Sequence, residues 1–86
     1  MLSVIIEEKS VIHGLIKAKK AYVEEKAKVE DIIAEYVELD DKVQTRNIKA
    51  DTIIIGDKCR ILGKIEYTKE LIVGENVYFA EKPVKK

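Results

Sequence analysis

Five carboxylates, Glu8, Glu25, Asp41, Asp57 and Glu75, recur every 16 to 18 residues, and four are followed at once by a lysine: Lys9, Lys26, Lys42 and Lys58. A column of acids could hold a cation or supply the paired carboxyl groups of a hydrolase. Either chemistry needs side chains that converge on a pocket, whereas each of these acids sits in a polar turn between apolar stretches. The expectation is a solvated ladder in which each lysine neutralises its neighbouring acid, a device that stabilises chiefly at high temperature. Gly56 and Gly74 open that turn in two of the repeats, where a positive φ is expected; Glu24 and Asp40 at the same position argue against a phosphate loop.

The other reactive side chains stand alone. His13 is read as a turn residue before Gly14, ordinary surface. Cys59 falls at an apolar inward position and is expected to be an inert core residue. One Cys and one His can build neither a disulfide nor a thiolate zinc site. The chain has no glycine-rich nucleotide motif, no HExxH and no Ser/His/Asp set. No catalytic, cofactor-binding or metal-binding residue is therefore assigned, no cofactor is expected, and the protein is read as no enzyme.

Eighty-six residues at 9.8 kDa have room for one core. Sixteen Lys and Arg balance sixteen Asp and Glu, which removes the long-range field that draws proteins to nucleic acid, so nucleic acid is not an expected partner. At 47% apolar and 37% charged, the chain is too apolar for a disordered one, and no uncharged run is long enough to span a membrane. The opening residues lack the pattern of a secretory signal and the lone cysteine suits a reducing compartment, so a cytoplasmic location is expected, with nothing in the sequence indicating membrane association. Lys and Glu supply 25 residues against three Asn and Gln, a balance seen in proteins from hot environments.

A repeat organises these residues. Ile16-Lys-Ala18, Ile32-Ile-Ala34 and Ile48-Lys-Ala50 are spaced by sixteen, as are Val23, Leu39 and Ile55 with the polar residues after them. A fourth unit begins at Ile65, displaced by one extra residue near Gly63 and another before Leu71, and a partial unit precedes them from Val4. Residues 17–30, rich in Ala, Lys and Glu, would favour helix by propensity alone, but they share the strand-like pattern of their Ile-rich neighbours position by position. Within each unit, three short stretches alternate apolar and polar residues. The predicted fold is all-β: a single-stranded triangular β-helix of about five rungs of 16–18 residues over 4–79, followed by a short charged tail, 80–86.

The inward positions comprise twenty-eight residues, from Val4, Ile6, Ser10 and Ile12 in the first rung to Leu71, Val73, Val77 and Phe79 in the last, and none is charged. A solenoid rung leaves backbone groups unpaired on its open side, and natural solenoids usually cover both ends. Met1 to Ser3 and Ala80 to Lys86 are too short to form a covering helix. Val4, Ile6 and Ile12 at one end and Val73, Val77 and Phe79 at the other are therefore the expected end-to-end self-association residues. Outward, Ile5, Tyr22, Glu38, Ile54 and Ile72 form one column, apolar at four of five places, and Ile5, Tyr22, Ile54 and Ile72 are the expected lateral contact.

The runs Gly14-Leu-Ile-Lys-Ala18, Asp51-Thr-Ile-Ile-Ile-Gly-Asp57 and Gly63-Lys-Ile65 make the chain resemble the bactofilins, polymer-forming cytoskeletal proteins, over residues 4 to 79. The resemblance implies a right-handed β-helix that polymerises end to end without nucleotide, often near the cytoplasmic membrane, as a scaffold, with no catalytic residues to carry across. This chain departs from the family in having fewer rungs, charged residues in several turns and no long flanks. The expected partner is thus a further copy of itself.

Two other readings compete. Ile55-Gly-Asp-Lys-Cys-Arg60 and Val73-Gly-Glu-Asn-Val-Tyr78 each fit the hexapeptide repeat of left-handed β-helix acyltransferases, but those coils take eighteen residues and a catalytic His, where only His13 is on offer. The second is a small adaptor solenoid that binds one protein partner through the Ile5 to Ile72 stripe.

Overall fold

A period of sixteen to eighteen residues makes a solenoid only if equivalent residues lie directly over one another. The computed structural model, which describes residues 3–86, has that register. Its strands are β1 (Ser3–Ile6), β2 (Val11–Lys17), β3 (Lys20–Val23), β4 (Lys28–Ile33), β5 (Tyr36–Leu39), β6 (Gln44–Thr45), β7 (Asn47–Ile55), β8 (Arg60–Ile61), β9 (Ile65–Val73), β10 (Tyr78–Phe79) and β11 (Val84–Lys85). All pair in parallel within one continuous sheet, and no helix occurs among the described residues. The Lys/Ala/Glu-rich segment is strand over β3 and the start of β4, its propensity overridden by the columns it must join.

Three faces result, with five layers in each. The first stacks β1, β3, β5 and the second halves of β7 and β9, aligning Val4, Ala21, Val37, Ile53 and Leu71. The second aligns Val11, Lys28, Gln44, Arg60 and Tyr78 along β2, β4, β6, β8 and β10. The third aligns Ile16, Ile32, Ile48 and Ile65 and ends on β11, where Val84 pairs with Glu66 and Lys85 with Tyr67. The chain beyond Phe79 thus stays in the stack and supplies the third side of the fifth rung. The extra residues fall near Gly63 and before Leu71, since Ile48 faces Ile65 while Thr52 faces Glu70.

Every side chain that is sealed among the described residues belongs to the predicted inward set, and Val37, Ile53 and Ile61 are 0% exposed. Thr45, the one polar member, is satisfied because its Oγ1 donates to the Glu30 carbonyl at 3.2 Å. The stabilisation is therefore mainly apolar burial along continuous columns, at about 25 cal/mol per Å2 removed from water.

The acidic corner differs from expectation in two respects. Among the described residues no salt bridge joins the acid and lysine columns. Instead the acids cap the next turn: Asp41 Oδ1 accepts the Asp57 N–H at 3.0 Å and Asp57 Oδ1 accepts the Glu75 N–H at 2.9 Å. A charged acceptor on a backbone donor is worth more than an exposed ion pair. The positive φ lies two residues later than expected, on Lys9, Lys26, Lys42, Lys58 and Asn76 at 56–63°, and not on Gly56 or Gly74. Glycine at 56 answers to space, because a Cβ there would lie 2.8 Å from the Asp40 carbonyl carbon and from Asp41 Oδ1; at 74 it would meet the Asp57 carboxylate. Lys42→Gly is accordingly expected to stabilise by about 0.5–1 kcal/mol by removing left-handed strain. Gly56→Ala should cost about 1–3 kcal/mol by overpacking. Urea unfolding midpoints of the two variants check both signs.

Candidate functional site

The terminal rungs are where strand edges have no partner among the described residues. β1 pairs with β3 and β2 with β4, and no described strand meets their other edges. Val4, Ile12 and Ile16 pack against the core yet are only half-buried. Ile6 is different: at 5% exposed it is already sealed, so its backbone edge is open but its side chain is not. At the far end Val77 and Phe79 are half-buried and Val73 is 39% exposed. The third side of that rung carries Pro83 and Lys85, and Lys86 anchors it through Nζ to Glu66 Oε2 at 3.7 Å.

The lateral column stands in register, Ile5 on Tyr22, Tyr22 on Glu38, Glu38 on Ile54 and Ile54 on Ile72. Ile5 is 65% exposed and Ile72 46%, while Tyr22 and Ile54 are half-buried. Glu38 interrupts the stripe and is engaged from the side: Tyr36 Oη donates to Glu38 Oε1 at 2.8 Å, which raises the Tyr36 pKa above its ordinary value. The Tyr22 and Tyr36 rings lie 5.9 Å apart, tilted by 52°. The apolar stripe is thus two exposed ends with an aromatic and acidic middle.

Two further features are a groove and a bulge. A shallow groove of about 410 Å3 on the third face is lined by Leu15, Ile33, Asn47, Lys49 and Lys64 among others. The first rung has one residue more than the second between Ile12 and Leu15, and that shift disguises the alternation that places Leu15 beside Asp31 on this face. His13 is not in a turn: it lies within β2 at this bulge, beside Gly14, whose φ is 95°. Glu30 pins the bulge. Its Oε1 accepts the Gly14 N–H at 2.7 Å, and Oε2 lies 3.7 Å from His13 Nδ1 and 4.0 Å from Arg46 Nη1.

The Gly14 bond, with smaller help from His13 and Arg46, holds the Glu30 pKa below its ordinary 4.5. A carboxylate whose folded pKa is depressed contributes stability above its unfolded pKa and loses it as pH falls through the folded value. Wild type should therefore lose more stability between pH 6 and the acid side of 4.5 than Glu30→Gln does, as read from urea midpoints at the two pH values.

Cys59 is 0% exposed; its Sγ donates to the Asp40 carbonyl at 3.0 Å and burial pushes the thiol pKa up, so it is a poor nucleophile. Among the described residues no group of three or more His, Cys, Asp or Glu is arranged to hold a metal ion. Nor does any described helix have the length and apolarity to cross a membrane. No family model, curated protein or solved structure matches the chain.

Proposed function

We propose that this protein is a non-enzymatic, self-associating structural module whose solenoid is completed by stacking an end rung on another copy. The supporting observation is the contrast within single columns: Val37 and Ile53 are fully sealed, while Val4, in the same column, is half-open beneath an unpaired strand edge. A further rung would satisfy the free N–H and C=O groups and bury the apolar residues together. The resemblance to bactofilins supports the same reading, with a scaffold role in the cytoplasm. Sedimentation velocity over a wide concentration range tests it. Concentration-dependent assembly is expected, and a monomer throughout would remove it.

A second reading is an adaptor that docks one protein on the lateral column, favoured by the exposure of Ile5 and Ile72. It predicts that Ile72→Lys abolishes partner capture but leaves self-association intact. The acyltransferase reading has less support, because three of the four rung steps on the first face are sixteen or seventeen residues and the lone His13 sits exposed on a bulge.

A further inference from the structure

The two terminal rungs differ chemically. In the first rung the inward positions are Val4, Ile6, Ser10, Ile12 and Ile16, without charge or proline. In the last, Lys85 occupies the column of Ala50 and Tyr67, and Pro83 immediately precedes β11. A rung stacked there would bury an ammonium group against an apolar column with no acid facing it. An inward lysine and an edge proline are the devices by which sheets refuse a further strand.

Corner charges discriminate further. Glu7 and Glu8 follow β1, whereas Lys19 precedes β3 and Lys20 opens it, one strand spacing below Ser3. Stacking the first rung of one copy on the last rung of another would bring Lys85 and Lys86 to the corner of Lys17 and Lys19. Turning the second copy about a two-fold axis through Ile5 of β1 does the opposite: the strand reverses and Glu7 of each copy comes opposite Ser3 of the other, on the side where Lys20 lies one strand spacing away. With Ile5 opposite Ile5, Val4 then faces Ile6, so inward positions oppose inward ones across an antiparallel junction.

We infer, on the premise that end stacking is the function, that the partner is one second copy joined β1 to β1 in a closed two-fold dimer, with both C-terminal rungs facing solvent. An isologous contact of this kind is saturated at two copies.

The test uses the full chain carrying Ile5→Cys or, in the same column on the last rung, Ile72→Cys. Buried Cys59 is left in place. Under mild oxidation Ile5→Cys should form a disulfide-linked dimer at least ~10-fold faster than Ile72→Cys, because the dimer holds the two thiols at high effective concentration. Wild type should sediment as monomer and dimer only, and the double variant Pro83→Thr/Lys85→Val should form larger species. Wild-type species beyond the dimer, equal linkage at Ile72→Cys, or a dimer in which Ile5→Cys stays unlinked overturns the two-fold junction while leaving end stacking in place. A wild-type monomer at every concentration, with neither cysteine linking, overturns both.

Discussion

Ile53→Ala is expected to destabilise the folded chain by about 2–5 kcal/mol, the cost of a cavity at a site that cannot relax. Ile53 is 0% exposed and is held between Val37 and Leu71 in a column that runs the height of the solenoid. Because each rung touches only its neighbours, a void in the middle weakens both interfaces at once. Small domains are stable by only about 5–15 kcal/mol, so the variant should lose a large share of its total. Leu71→Ala, on the half-open end of the same column, should cost about 1–2 kcal/mol. Urea unfolding gives both values, and equal losses at the two positions would mean that the column is not sealed in its middle.

The second large effect is on assembly. Val4→Lys should weaken self-association by at least ~100-fold, about 2.7 kcal/mol, while changing monomer stability by less than about 1 kcal/mol. Val4 is only half-buried, so a lysine there can extend its ammonium to water in the free chain. A second rung removes that escape and leaves the charge buried without a partner, a change worth several kcal/mol. Sedimentation equilibrium with parallel urea unfolding separates the two effects. Undiminished association of Val4→Lys would show that the contact lies elsewhere, with the Ile5 to Ile72 column the next surface to probe.

The columns were legible in the sequence because alternation is a direct consequence of strand geometry: Ile16, Ile32 and Ile48 had to stack once three units shared a period. What stayed hidden was set by contacts between rungs. A glycine in a turn signals either a left-handed φ or the absence of room for a Cβ, and nothing within one unit distinguishes these. At Gly56 and Gly74 the cause is room, because the aspartate one rung below reaches up to cap the backbone, and the left-handed residue is Lys58 or Asn76. Those aspartates resembled members of an ion-pair ladder because a carboxylate beside a lysine gives no hint that its partner is a backbone N–H sixteen or eighteen residues ahead. The last strand was concealed for a related reason. Lys85 breaks the rule that inward positions are uncharged, which holds only where another rung lies above, so the segment read as a tail although it pairs with β9. Ile6 belongs to the open end by its place in the chain, whereas its side chain is already part of the sealed core.

Hydrogen exchange of backbone amides as a function of protein concentration tests the completion of the first rung by a second copy most directly. The interior strands β5 and β7 should be protected at every concentration, and β10 should exchange at a constant rate. The outward-facing amides of β1 and β2 should slow progressively as concentration rises through the association range. Exchange from β1 that is as fast in concentrated as in dilute solution would contradict the account.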